Sequence, residues 1–332
     1  MDDDIEYRSK IAPLSVHTKL LYSGNSMIYS IHYYNDSFVV KYMPIDEEPN
    51  KYMDVIKDSY GRKVLSTNRR MTGIPEAVFS NEVIIQKHVH SLLPNITSRI
   101  FYHSILNIIP ERNGSIHQSI TDIHKFLRNH FISRNNGVEG PYRIGIIAME
   151  LMTTTTMKEY LGIQSPTDII SILEGKHKEV AKSILSKYFY SLILLTSIGV
   201  IHGDPQFSNA LVDPNTSSIY IIDFGRSKFM NIDQKTRFNE LYEIFRNDAT
   251  LENLTLMARY MYDLNNEIFV LFEPTPIYMW MTDPTILNLI YPHVVLTNAG
   301  YKRRRQKRKR TNKRKSRNAF VLFKKGTNRY KK

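Results

Sequence analysis

The 332-residue sequence contains no cysteine, so neither a disulfide nor a thiolate metal site can brace the fold. That permits a reducing compartment. No secretory leader is expected either: the sequence opens on the acidic run Met-Asp-Asp-Asp-Ile-Glu, where a leader would place basic residues and then an apolar core. The localisation expected is therefore intracellular, cytoplasmic or nuclear, and not secreted. Long hydrophobic runs are absent too. The longest uncharged, mostly apolar stretch is 188–201, short of the roughly 20 residues a membrane-spanning helix needs, and no membrane partner is expected. The histidines form no recognisable ligand set. His88 and His90 stand alone as an H-x-H pair, which supplies too few ligands for a metal and reads as two helix histidines.

Acidic residues are missing from one place in particular. Residues 302–332 hold 17 of the 45 Lys and Arg and no Asp or Glu, which leaves 28 basic against 32 acidic residues elsewhere, a net of −4. The formal charge of +13 thus belongs to the tail, and the body is mildly acidic. Such a run reads as a solvated, disordered basic tail. Residues 302–317 would suit nucleic acid, bound without sequence preference and with strong salt dependence, or an import receptor. Phe320-Val321-Leu322-Phe323 offers a small docking patch.

What is present is globular. Hydrophobic residues make up 42% and charged residues 23%, enough for two lobes that each bury a core. From Leu20 to Met43 three β-rich segments are punctuated by Gly24-Asn25-Ser26 and Asn35-Asp36, and Lys41 lies in the third. Residues 44–75, with Pro44, Pro49 and Pro75, read as a loop or small insertion. A helix then starts at Pro75-Glu76 and runs to the stop at Pro94-Asn95, with Val78, Phe79, Ile85, Val89 and Leu92 at helical spacing and Glu82 in its middle. Strand-like residues 100–109 precede a polar insertion at about 111–142 that carries a short predicted helix, 120–131. Residues 143–152 read as a buried strand, and composition then turns helical. An apolar stripe predicts a helix over 179–198, stopped by Gly199. Beyond the central segment, helices are predicted after an N-cap at Asp233, over 251–262 and over 285–289.

The segment 201–225 organises the rest. It places Asp204 in a loop, Asn209 five residues later, and Asp223 directly after a buried strand. Phosphoryl transfer from a nucleotide requires such a set: one carboxylate to orient and deprotonate the attacking hydroxyl, and an amide and a second carboxylate to hold the metal that neutralises the phosphates. Short strands at 210–212 and 219–222 around a polar turn predict a hairpin that brings Asn209 and Asp223 to one end.

His202-Gly203-Asp204 followed by Asn209, and then Asp223-Phe224-Gly225, resembles the catalytic loop and metal motif of the protein kinase-like superfamily. By that resemblance Asp204 is the catalytic base and Asn209 and Asp223 are the magnesium ligands. Lys41 after Val39-Val40 resembles the strand lysine that binds nucleotide phosphates, and Glu82 its helix partner, with Glu76 a competitor for that place. Gly24 is what remains of the glycine-rich loop, and Met149, Glu150 and Met152 resemble the gatekeeper and the hinge that binds adenine. The implied fold is α+β and bilobal. A β-rich lobe spans 1–149, a helical lobe 150–301 and the basic tail 302–332. The implied activity is that of an ATP- and Mg2+-dependent phosphotransferase, with Mn2+ as a stand-in. The first reading is a Ser/Thr protein kinase with a protein acceptor, the second a small-molecule kinase of the aminoglycoside or choline type, the third a pseudokinase scaffold.

Several departures narrow the resemblance. Gly203 replaces the arginine common in regulated kinases, Gln206 stands where many protein kinases carry a lysine at the transferred phosphate, and there is no A-P-E motif. Only Arg226 to Ile232 separate the metal motif from the next helix, which leaves no room for a phosphorylated activation loop. These traits are similar to those of the compact kinase of the KEOPS complex and, less closely, of RIO-type kinases.

Overall fold

The computed structural model describes residues 17–23, 26–33, 36–45, 55–57, 63–65, 74–108, 142–152, 154–165, 168–269 and 280–295. Gly24, the insertion at about 111–141 with its predicted helix, and the basic tail from 302 onward lie outside the described residues.

The alternating segments near the N-terminus pair as predicted. Strands β1 (His17–Ser23), β2 (Met27–Tyr33) and β3 (Asp36–Pro44) form an antiparallel meander. β6 (Ile100–Ile108) and β7 (Tyr142–Glu150) complete a five-stranded sheet of order β1-β2-β3-β7-β6. Between β3 and β6, part of the supposed loop at 44–75 is instead a short hairpin, β4 (Val55–Lys57) with β5 (Lys63–Leu65). The two strands are three residues each, too short for periodicity to reveal.

Helix α1 (Glu76–Leu92) follows, and its apolar residues divide between two cores. Phe79 and Val83 pack with Met43, Ile45, Ile100 and Ile147 beneath the sheet. One turn on, Ile85 and Val89 join the helical core. The helix is thus a bridge, and Glu82 sits at its crossing point. The close approach depends on Gly145 of β7, where an added Cβ would lie 2.6 Å from the Phe79 ring. His88 and His90 are half-buried on α1. His90 is bonded to the Thr97 carbonyl and His88 meets the Phe229 ring edge-on, as helix histidines rather than as a ligand pair.

Beyond β7, a short strand β8 (Thr155–Thr156) leads into α2 (Met157–Leu161), which Thr156 and Glu159 close with a reciprocal capping box. Then come α3 (Asp168–Glu174) and α4 (Lys178–Ser197), the latter buried on most of its faces as its apolar stripe predicts. Gly199 ends it with φ +91°, a conformation L side chains avoid.

The cap of helix α5 (Ile232–Asn247) lies two residues before the predicted one. Asn231 is the N-cap, and Gln234 reaches back to close the box. Asp233 therefore lies within the first turn, where its charge still favours the helix N-terminus. α6 (Leu251–Phe269) runs seven residues past its predicted end, and a last helix, α7, spans 284–295. Trp280, the lone tryptophan, stacks on Tyr188 of α4 and packs against Phe207 of the loop described next. A sheet lobe and a helical lobe joined by α1 make this the expected two-lobed α+β fold. Among the described residues no helix is long and apolar enough to cross a membrane.

Candidate active site

Strand β9 (Val200–Ile201) delivers the chain into the central loop. His202 is buried there and bonded on both ring nitrogens. Its Nε2–H donates to the Ile222 carbonyl at 3.0 Å, and its Nδ1 accepts the Asp204 N–H at 3.2 Å. That pattern assigns the neutral ring with its proton on Nε2. Burial pushes the imidazole pKa down, against the opposing pull of Asp204, so the ring is a structural pin rather than a cation. Gly203 has φ +76°, which accounts for glycine at a position where an arginine would be strained. Its N–H donates to Asn265 Oδ1 of α6 at 2.9 Å, and the Asn265 amide in turn donates to the Met261 carbonyl.

Asp204 is buried. One carboxylate oxygen, Oδ2, accepts from Gln206 Nε2 at 3.1 Å and lies 3.6 Å from Arg226 NH1. Asn209 ends the 3₁₀ turn Phe207–Asn209, and its side-chain NH2 donates to the Asp204 carbonyl at 3.0 Å. That bond fixes the amide, so the group Asn209 presents elsewhere is its carbonyl oxygen.

The predicted hairpin is β10 (Ala210–Val212) with β11 (Ile219–Ile221). The Ile222 N–H donates to the backbone carbonyl of Asn209, so the loop and the Asp223-Phe224-Gly225 motif are tied at one end of the hairpin. Asp223 itself stands at φ +63°, a left-handed conformation that costs a non-glycine residue about 1 kcal/mol. Lys41 grips it there. The Lys41 ammonium lies 3.1 Å from Asp223 Oδ1 and 2.7 Å from Glu82 Oε1. Burial opposes the lysine's charge, but the two carboxylates outweigh it and raise its pKa. Lys41 in turn holds the Asp223 carboxyl below the usual carboxylate range, against burial. Burial raises Glu82, and Lys41 offsets part of that rise. Of the coupled pair the lysine is the member held charged, because two carboxylates share it. Asp223 still has 48% of its side-chain surface open, so it faces the cleft.

Glu76 is placed elsewhere. It pairs with Arg143 on the far side of the sheet lobe's entry into α1. At the end of β7, the strand between β3 and β6, Met149 is half-buried and Glu150 exposed. The Glu150 N–H is spent on the Arg99 carbonyl at 2.9 Å, and the Thr154 hydroxyl donates to the Met152 carbonyl.

After Gly225 every residue of the link is committed. Arg226 completes the 3₁₀ turn Phe224–Arg226. The Ser227 hydroxyl donates to the His202 carbonyl at 2.7 Å, and its own carbonyl accepts Asn81 Nδ2 of α1 at 2.7 Å. β12 (Lys228–Phe229) pairs antiparallel with β9, the Met230 N–H bonds the Gly199 carbonyl, and Asn231 caps α5. Phe224 is fully buried against His202. Helix α1, the motif and the loop are thus wired together by Asn81, Ser227 and His202. Asn81→Ala should lower stability by about 1–3 kcal/mol, because the Ser227 carbonyl loses its donor. Urea unfolding checks this, and an unchanged midpoint would count against the wiring.

The residues present suit a nucleotide with a divalent metal. Among the described residues no three His, Cys, Asp or Glu converge as a metal cage. A magnesium site does not need one, since this ion is commonly held by one or two protein oxygens together with substrate phosphates. The Asp223 carboxylate and the Asn209 carbonyl oxygen are of that kind.

Comparison with known proteins bears on the same stretch. A family model described as the ABC1 atypical kinase-like domain matches residues 145–252, from β7 through the loop, the hairpin and α5. This part of the chain is kinase-like. Lys41 and Glu82 lie outside the matched stretch, which is about a third of the chain. Among solved structures, WaaP in complex with acyl carrier protein is similar in outline, at 11% identity and a TM-score of 0.35, over 83% of this chain and 90% of that one. No curated protein sequence matches the chain.

Asn81, Ser227, Arg226 and Asn265 were not singled out by sequence reasoning. For Asn265 a signal exists: it is a polar residue on the apolar stripe of Met257, Met261 and Leu264, where an amide needs a buried partner.

Proposed function

We propose that the chain is an ATP- and Mg2+-dependent phosphotransferase that acts on a hydroxyl, and that the acceptor is a Ser or Thr of a protein. The observation that carries the reading is the meeting of Lys41, Glu82 and Asp223, drawn from three separate elements, opposite Asp204 and Asn209. Lys41 supplies a fixed cation for the nucleotide's phosphates. Asp223 and the Asn209 carbonyl would hold magnesium, which when bound supplies charge neutralisation across the phosphates. Asp204 orients the acceptor hydroxyl and takes its proton as the new O–P bond forms and the bond to ADP breaks. A protein acceptor is favoured by the exposed apolar side chains of Phe229 and Ile232, which follow the motif and would give a polypeptide something to lie against. The small-molecule reading is supported by Gln206, a neutral amide bonded to Asp204 in place of a cation. Within the superfamily, the short link to α5 favours kinship with the compact KEOPS-type kinase.

The test is transfer of labelled γ-phosphate by the purified full chain, with and without magnesium, to generic protein acceptors and to a panel of aminoglycosides and choline. Magnesium-dependent label on protein supports the proposal. Label only on a small molecule replaces the acceptor, and neither transfer nor Mg·ATP binding overturns the enzyme reading.

A further inference from the structure

We infer that Arg226 is a catalytic residue, the cation that contacts the phosphoryl group in flight, in the role left open by Gln206. The inference rests on the phosphotransferase reading above and deepens it.

Charge spreads over the transferring phosphoryl's outer oxygens, and catalysis of this reaction consists mainly of placing fixed positive charge there. Gln206 cannot provide it: its amide is neutral, and Nε2 is bonded to Asp204 Oδ2. Lys41 is committed to two carboxylates at 2.7 and 3.1 Å and sits on the nucleotide side. Lys228 reaches Glu267, on α6. Arg226 is different in position. It follows Gly225 in the 3₁₀ turn that starts beside Asp223, and its NH1 comes to 3.6 Å from Asp204 Oδ2. Its side chain therefore runs from the motif that would face the nucleotide to the carboxylate that would face the acceptor. A phosphorus passing in line from one to the other must cross that interval.

The side chain is 48% exposed, so part of it is open to a ligand. At 3.6 Å the contact with the buried Asp204 is an ion pair rather than a close hydrogen bond, and Asp204 keeps its bond from Gln206 when the arginine is removed. A planar guanidinium with five donors can hold Asp204 and a phosphate oxygen at once, which an ammonium does less well. In the step itself the acceptor oxygen bonds to the γ-phosphorus, the bond to the bridging oxygen breaks, ADP leaves and the acceptor proton goes to Asp204. Arg226 stays protonated throughout and neutralises the oxygens.

The test compares wild type with Arg226→Ala, Arg226→Lys and the double variant Gln206→Lys/Arg226→Ala. Label transfer, Mg·ATP affinity and melting temperature are measured on each. Arg226→Ala should reduce kcat about 100-fold, with affinity within about threefold and melting unchanged. At least one of the two lysine variants should regain about tenfold, since each restores a cation from a different backbone position. A loss that no lysine variant repairs, or that appears wholly in affinity or melting, overturns the assignment. So does an Arg226→Ala rate equal to or above wild type, which would make the Asp204 contact a restraint. Those outcomes leave phosphotransfer by the wild type standing; a wild type with no transfer would overturn both readings.

Discussion

Lys41→Met should abolish Mg·ATP binding and cost about 3–5 kcal/mol of folding stability, the penalty of leaving a buried carboxylate without its partner. Lys41 and Glu82 are both buried, and no water-facing route lets Glu82 keep its charge cheaply. The double variant Lys41→Met/Glu82→Leu should regain most of that stability and none of the binding, because two apolar side chains between the sheet and α1 leave no buried charge behind. The sign of the pH dependence follows from the direction of the Glu82 shift. Burial raises its folded pKa above the unfolded value, and removal of Lys41 takes away the opposing pull. The penalty is therefore present at neutral pH, where the unfolded carboxyl is ionised, shrinks as pH falls toward the unfolded value near 4.5, and is gone below it, where both states are protonated. Urea unfolding at pH 7.5 and pH 5 would show the single variant approaching wild type at the lower pH. A double variant as unstable as the single one would remove the ion pair as the explanation.

Asp204→Asn should slow transfer by about 10²–10⁴-fold while Mg·ATP affinity stays within about threefold. The amide has the shape of the carboxylate and can still accept from Gln206 Nε2, so the loop keeps its form. What it loses is the capacity to take a proton at pH 7. Since the phosphate-side groups, Lys41 and Asp223, are untouched, the loss should fall on kcat rather than on nucleotide binding. Labelled transfer beside equilibrium nucleotide binding measures the two separately. Full wild-type turnover in this variant would strip Asp204 of its proposed role.

Much of this was readable before any coordinates because the central segment is local. Residues 201–225 form one strand, one loop and one hairpin, each specified by alternation and turn residues within a few positions of one another. The same kind of signal gives strands first and helices after, and the resemblance supplies the two-lobed arrangement. Lys41 and Glu82 are another matter. They lie 41 residues apart, and Lys41 lies 182 from Asp223, so no spacing rule joins them. Resemblance named them, and the three-dimensional fold brings them within hydrogen-bond distance. What no local pattern could carry is the long-range polar pin from Asn81 to Ser227, because an amide on that helix reads equally well as solvent-facing; for Asn265 the apolar stripe marks the residue but not its partner Gly203. The start of α5 failed for a smaller reason: Asn231 and Asp233 are both good caps, and Gln234, three residues after Asn231, decides between them.

The fully committed link between Gly225 and α5 has a pharmacological consequence. A compound that needs Phe224 swung out of its pocket would have to break the Ser227 bonds, unzip β12 from β9 and uncap α5 together. A ligand that selects so rare a state gives up affinity in proportion to that rarity. Useful inhibitors of this chain should therefore be ones that leave Phe224 in its pocket and do not ask the backbone to yield.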